Sequence, residues 1–417
     1  MVTPKISWEF CAGEIETMTK RFVPDYQIGS AGFHFGPKEK KYIGEVLKSH
    51  RLSYGPWSQR FEEIFAKEHD SRFAVFSNSG TSALHMALAA MKEKFGWRDG
   101  DEVIVPAVTF VATANIVIYN NMRPVFVDID PVTYNLDPKK IRSAITSRTR
   151  VILPVHLFGM PADMSPILRI AKEYKLRVLE DSCECMFARY NNRKVGSFGD
   201  VGCFSTYIAH FLVTGVGGVA ITSDPELAVL MRSYMNHGRD SIYLNIDADK
   251  GLSKEKLRMV VAKRFSFVRL GHSMRATELE AALGVAQFEK RHRDIRRRRE
   301  IARYYTRHLS DLSEHIQLPF VPKGREHNFM MYPIVLRSSH KKDIVNYLEE
   351  RNIETREMVP LTNQPVYRKL FGKDFESAFP VAKWVNESGF YVGSHPYLKT
   401  REIKYIVDVI HDFFAGK

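Results

Sequence analysis

The sequence predicts an α/β protein: a mainly parallel sheet between helices, followed by a smaller C-terminal α+β part. Three observations predict it. Short apolar runs alternate with amphipathic helical stretches through the first two-thirds of the chain. Those runs are apolar throughout, not alternating with polar residues, as strands covered on both faces must be. From about residue 310 the order changes to strand, helix, strand and closing helix, a pattern of α+β type. These shifts divide the 417 residues into an N-terminal extension (1–34), a large unit (35–309) and a small unit (310–417).

The elements follow in order. "RFAVFSNSGTSALHMALAAMKEKFG" reads as strand, turn and helix, and "DEVIVPAVTFVATANIVIYNN" as strand, loop and helix. "RPVFVDID" is a strand, and "PKKIRSAITSRTRVILPVHLFG" a helix and then a buried strand. "MSPILRIAKEYKLRVLEDSCE" repeats helix and strand. "ATELEAALGVAQFEKRHRDIRRRREIARYYTRHL" has no proline and reads as one long helix bridging to the rest, with Ile295, Ile301 and Tyr304 or Tyr305 inward. "HNFMMYPIVL", "HKKDIVNYLEERNI", "GFYVGSHPYL" and "KTREIKYIVDVIHDFF" supply the strand, helix, strand and closing helix of the small unit.

Composition narrows the function class. The chain is 44% hydrophobic and 26% charged, ordinary for a globular enzyme. Its longest apolar stretch, Val103 to Tyr119, carries Pro, Thr and Asn and is too short to span a bilayer, and the N-terminus has no signal-type apolar core. A cytoplasmic location without membrane attachment is expected. The net charge of +13 suits an anionic partner. The densest basic run, Lys290 to His308, reads as a solvated helix face, and no stacking aromatics or zinc-finger spacing accompany it, so nucleic acid is not expected. The four cysteines, Cys11, Cys183, Cys185 and Cys203, are too few for a disulfide framework. Cys183 and Cys185 read as strand residues with thiols pointing apart, so structural thiols are expected and no metal.

Four stretches carry chemistry. In "SNSGTSAL" a strand ends and a helix opens, so Gly80, Thr81 and Ser82 offer amides and hydroxyls to a phosphate, or a plain helix cap. Asp181 of "EDSCE" ends an apolar strand, where a carboxylate can face a protonated ring nitrogen or cap a helix. Phe110 follows a strand at the same edge, to stack on a flat ligand or to fill core. In "CFSTYIAHFLVTGVGG", Ser205 is a second phosphate ligand, and Gly215, Gly217 and Gly218 permit tight turns. They do not spell a dinucleotide fingerprint or a P-loop. A lone histidine in such an apolar run, His210, is more often packed than functional.

These stretches, in this order, resemble the DegT/DnrJ/EryC1/StrS sugar aminotransferases over residues 35 to 415, with further matches at "LSYGPWSQRFEEIFAKEH", "VHLFGMPADM", "GSFGDVGCFS" and "MRATELEAALGVAQFEK". The resemblance implies the fold type I architecture of pyridoxal-phosphate enzymes with a seven-stranded sheet, nucleotide-linked keto-sugar substrates, and homodimers with shared active sites. It places Gly80, Thr81 and Ser205 on the cofactor phosphate, Phe110 on the ring face and Asp181 at the pyridine nitrogen. Glu184 falls near the phenolic oxygen, where aminotransferases commonly carry Gln. Ser273 stands where an asparagine reaches the neighbouring subunit's phosphate.

His210 stands where the family carries the lysine that binds the cofactor covalently, between "FST" and "GVGG" and with no gap. A histidine there resembles the family's branch of keto-sugar 3-dehydratases, as does "GFYVGSHPYL"; that branch often has a second His and a Glu where this chain has Phe211 and Val216. The resemblance implies a pyridoxal or pyridoxamine phosphate held non-covalently, His210 as acid and base, and regeneration of the amine form by glutamate. Arg239, Arg264 and Arg275 are expected partners for the substrate diphosphate. A related dehydratase type adds a [2Fe–2S] cluster, but its ligands lie after the histidine position and the cysteines here do not. An aminotransferase, or a homologue that only binds cofactor or nucleotide sugar, are the other readings.

Overall fold

A computed structural model describes residues 22–241, 251–338, 341–359 and 361–416. Cys11, most of the predicted N-terminal extension and the middle of the stretch between Asn236 and Ser273 lie outside the described residues.

The apolar runs form a seven-stranded sheet. Its strands are β1 (Phe73–Ser77), β2 (Glu102–Pro106), β3 (Arg123–Val127), β4 (Thr149–Ile152), β5 (Arg177–Asp181), β8 (Val201–Ser205) and β9 (Gly218–Thr222); a small hairpin, β6 (Arg189–Tyr190) and β7 (Arg193–Lys194), lies between β5 and β8. The order is β1-β9-β8-β5-β4-β2-β3. All pairs among β8, β5, β4, β2 and β3 are parallel, and only β9 runs against its neighbours. Helices α1 (Pro37–Lys48), α2 (Pro56–Glu68), α3 (Gly80–Lys94) and α4 (Val111–Tyr119) come from the first third of the chain. The residues 73–77, 102–106 and 218–222 are almost wholly buried, as strands between helix layers require. The predicted helix at Pro138 is short: Pro138–Ile141 and one further turn, with Ile141 its one buried residue.

The small unit contains a four-stranded antiparallel sheet, ordered β10 (Ile316–Gln317), β11 (Met331–Leu336), β13 (Gly389–Gly393) and β12 (Thr355–Glu357). The long helix runs unbroken over Glu278–His308, about 46 Å at 1.5 Å per residue. Val285, Phe288 and Ile295 pack into the core of the large sheet, while Ile301, Ala302 and Tyr305 pack into that of the small one. Tyr305 is the inward tyrosine. The helix starts with a capping box, Thr277 and Glu280, and its first residue, Glu278, also accepts from the amides of Gly55, Trp57 and Ser58 at 2.8–2.9 Å. One buried carboxylate thereby satisfies the orphan donors that open α2.

The basic run on this helix departs from a simple solvated face. Lys290 pairs with Glu39 at 2.7 Å, Arg299 with Glu326 at 2.9 Å, and Arg298 is 4% exposed. Among the described residues no helix is long and apolar enough to cross a membrane.

Candidate active site

The parallel strands aim their carboxyl ends at one edge, where open α/β sheets bind ligands. Asp181 ends β5, Ser205 ends β8 and Ser77 ends β1. Antiparallel β9 starts at this edge, and its first residue, Gly218, pairs with both Ser77 and Ser205. A Cβ on Gly218 would sit 2.2 Å from the Ser79 carbonyl, so only glycine lets β9 approach the start of α3.

Gly80 opens α3, whose first amides have no intrahelical acceptor. A Cβ on Gly80 would lie 2.8 Å from Ser205 Cβ and 3.0 Å from Cys183 Sγ, which places those residues around one cradle. Free amides at a helix start beside the Ser205 hydroxyl are an arrangement able to hold an anion. Ser82 stands apart: its amide donates to Ser79 Oγ at 3.0 Å and its hydroxyl to Asn78 Oδ1 at 2.7 Å, so the helix cap takes up both groups. Gly80→Ala is expected to cost ~1–3 kcal/mol by overpacking and to weaken binding of a phosphate monoester by displacing Ser205. Thermal melts with and without ligand measure both.

Asp181 is buried. Its oxygens accept from Thr113 Oγ1 at 2.7 Å and from the Cys183 amide at 3.1 Å. No lysine or arginine pairs with it among the described residues, and burial raises its pKa, with the two hydrogen bonds opposing. A buried carboxylate whose hydrogen-bond partners are neutral is suited to a cationic ligand atom. Phe110, by contrast, is 58% exposed beside α4, so its ring is open to a ligand and the core reading fails. Glu184 accepts from the Phe158 amide at 3.0 Å; burial pushes its pKa up to about 7, and the Asp181 charge adds to this. "CEC" is not on the strand: β5 stops at Asp181, and Cys183 and Cys185 lie in the turn beyond it. Burial holds the Cys183, Cys185 and Cys203 thiols protonated.

Glu184 also supports a prediction. Its folded pKa lies above the unfolded value of 4.5, so the folded state holds the extra proton, and stability falls as pH rises from about 4.5 through 7. In cofactor-free protein, Glu184→Gln is expected to add about 3 kcal/mol at pH 8 and almost nothing at pH 4.5. Denaturant titrations at the two pH values check it.

The glycine cluster belongs to the loop that carries His210. Thr206 donates its amide to the Gly217 carbonyl at 2.9 Å, Thr214 donates its own to Thr206, and the Thr206 and Thr214 hydroxyls meet at 2.6 Å. Gly215 (φ 88°) and Gly217 (φ 152°) take the left-handed backbone that closes the loop and reverses it into β9. At its tip His210 is half-buried. Its amide donates to the Tyr207 carbonyl at 2.9 Å, and its Nδ1 lies 3.1 Å from Met330 Sδ. Burial lowers the imidazole pKa to about 4; a main-chain hydrogen bond with Cys183 opposes this, and the Arg298 charge reinforces it. The ring is thus neutral at physiological pH and reaches the main chain two residues past Asp181.

Of the expected diphosphate partners, Arg275 donates to Ser273 Oγ at 3.1 Å and lies 3.3 Å from His237 Nε2. Arg275 and Ser273 line a cavity of about 440 Å³ with Tyr54, Arg232 and Asn236. The Met274 carbonyl accepts from the Asn78 amide at 2.8 Å, which sets this segment beside the opening of α3. Arg239 instead donates to the Arg264 carbonyl and lies over the Phe265 and Phe267 rings, 5.5 and 5.4 Å away, so the contacts shown for this pair are with its own segment. Sequence reasoning missed Thr113 and Arg298. Thr109 and Thr113, one helical turn apart beside Phe110, were the signal for the first, and their hydroxyls meet at 2.7 Å. Arg298 falls three residues from both Ile295 and Ile301, on the inward stripe of the long helix.

The profile of the DegT/DnrJ/EryC1/StrS aminotransferase family matches residues 34–411. The chain belongs to this family. Among its DegT/DnrJ/EryC1/StrS relatives is the GDP-perosamine synthase of Escherichia coli O157:H7, 32% identical over 400 residues, spanning 95% of this chain and 100% of the relative. Another is the dTDP-4-dehydro-2,6-dideoxy-D-glucose 3-dehydratase of Saccharopolyspora spinosa, 32% identical over 410 residues, 93% of this chain and 87% of the relative. Among solved structures, a mutant GDP-4-keto-6-deoxymannose-3-dehydratase with bound GDP-perosamine superposes with a TM-score of 0.82 at 28% identity, over 92% of this chain and 99% of the other. The E. coli GDP-4-keto-6-deoxy-D-mannose-3-dehydratase with bound hydrated pyridoxal phosphate gives 0.81 at 29%, over 93% and 100%. The fold is that of these enzymes, and the relatives span both transamination and dehydration.

Proposed function

We propose that the protein is a pyridoxamine-phosphate-dependent 3-dehydratase of nucleotide-diphosphate-linked 4-keto-6-deoxyhexoses. The observation that carries this reading is the loop Thr206–Gly217: it contains no lysine and presents a neutral imidazole, His210, beside the β5 edge. The site fits the cofactor on its own geometry, through the Gly80–Ser205 cradle for a phosphate and the cation-free Asp181 for a ring N–H⁺. Such a cofactor supplies an amine for a ketone carbon and a ring that accepts an electron pair.

The protein's part follows from its residues. The Gly80 and Thr81 amides with Ser205 anchor the phosphate, Phe110 covers a ring face, and Asp181 keeps the ring nitrogen protonated. Neutral His210 accepts a proton from carbon, and the imidazolium so formed donates it to the departing C3 hydroxyl, which leaves as water. Without a lysine in the loop, no covalent capture competes. We further propose glutamate as amino donor, a homodimer with shared sites, a cytoplasmic location, and Ser273 and Arg275 as phosphate-side residues.

A second reading, a nucleotide-sugar aminotransferase, is favoured by the 32% identity to GDP-perosamine synthase. Spectra before and after borohydride, followed by assays for ammonia with 4-keto-6-deoxy sugar nucleotides, separate the two. Ammonia release with a sugar one oxygen lighter, and no borohydride-fixed adduct, supports the dehydratase. A trapped lysine adduct with an amino-sugar product overturns it, and cofactor binding without turnover of any keto-sugar leaves a binding protein.

A further inference from the structure

Arg298 is a buried cation without a carboxylate in its hydrogen-bond shell. Its Nη1 donates to the carbonyls of Met330 (2.8 Å), Phe329 (3.4 Å) and Ser394 (3.4 Å), and its Nη2 to the carbonyl of His210 (3.4 Å). The guanidinium lies 5.0 Å from the Phe211 ring centroid. Asp294, one turn earlier on the same helix, accepts from Arg293 Nε at 2.9 Å. A guanidinium taken out of water ordinarily pairs with an anion. Here neutral carbonyls from three segments hold it, and Asp294 acts on it only through space.

We infer that Arg298 is the positioning residue of His210, tying the tip of its loop to the small sheet and keeping a positive charge behind the imidazole. Two contacts meet at Met330, whose carbonyl Arg298 holds and whose sulfur touches His210 Nδ1. The loop tip and the start of β11 are thereby one unit. The groups around the imidazole are few. Tyr207 faces it from its own loop with ring centroids 6.4 Å apart. Cys183 approaches from the turn after Asp181 that also bears Glu184, Met330 from the start of the small sheet and Arg298 from the long helix. Behind Arg298 lie Asp294, Tyr397 and His395. A fixed cation on one side favours the neutral ring, the form a base needs.

This inference rests on His210 as the acid/base group only for its effect on turnover; its effect on the ring is measured without substrate. Cofactor-loaded protein with ¹⁵N-labelled histidine is titrated by NMR, with His210→Asn identifying the signal. Arg298→Met is expected to raise the His210 midpoint by about one pH unit and to lower kcat tenfold or more with KM within about twofold. Arg298→Lys keeps the charge and loses the fork, so it is expected to leave the midpoint near wild type and still lower kcat severalfold. A folded Arg298→Met with an unchanged midpoint overturns the inference. Should that variant not fold, an Arg298→Lys enzyme with wild-type kcat overturns it, because the carbonyl fork would then be dispensable. If the midpoint moves while the wild type turns over no 4-keto sugar, the inference stands and the dehydratase reading falls.

Discussion

His210→Asn is expected to lower dehydration at least a thousandfold while leaving cofactor binding within a few-fold of wild type. The amide keeps the size and a hydrogen-bonding tip but cannot exchange a proton, and general acid–base catalysis is worth about 10²–10⁴. One imidazole is asked to act twice, so the effect belongs at the upper end. Binding survives because the cradle and Asp181 are on other elements. His210→Lys goes further: with a lysine placed in the loop, borohydride is expected to fix the cofactor to the chain and amino sugar to replace ammonia. Mass spectrometry of reduced protein and of sugar products reads both variants. A His210→Asn enzyme that still releases ammonia at near wild-type rate would remove this histidine from the chemistry.

Asp181→Asn is expected to produce effects of opposite sign in the empty and loaded protein. The carboxylate is buried with a raised pKa; the folded state therefore binds more protons than the unfolded one, and stability is lost as pH rises above the ordinary aspartate range. Asparagine carries no such penalty, so the cofactor-free variant should melt higher than wild type at neutral pH. Loaded, the same change leaves a ring cation without its anion. Losing one partner of a buried pair costs about 3–5 kcal/mol, which is 10²- to 10³-fold or more in cofactor affinity and kcat. Absorbance titration with pyridoxal phosphate and melting of both forms test it. A lower melting temperature in the empty variant would mean that Asp181 serves the fold and not the ligand.

Local pattern carried much of the fold. The β1–α3 unit was readable because strand, turn and helix are adjacent and Ser79 caps the helix within the same stretch. β5 was readable from the apolar pair Val178 and Leu179, which follows a helix and leads into Glu180 and Asp181. Shortness and the lack of an adjoining helix between them hid β8 and β9. "GCFS" and "GGVAIT" are short apolar pieces around a loop, and their directions are set by partners far away: β9 pairs with β1, more than a hundred residues earlier.

The site divides in the same way. Residue type and order by themselves determined the family and singled out Gly80, Phe110, Asp181, Ser205 and His210 as candidate site residues. Only the tertiary structure decided that Ser82 is taken up by a helix cap, that Phe110 is open, that Arg239 donates to the Arg264 carbonyl, and that Thr113 donates to Asp181 and Arg298 to the carbonyl of His210. Each of these depends on what a side chain meets across the fold. Periodicity tells which face of an element is buried; it does not tell which acceptors wait there, and for a polar group those acceptors set both its charge and its role.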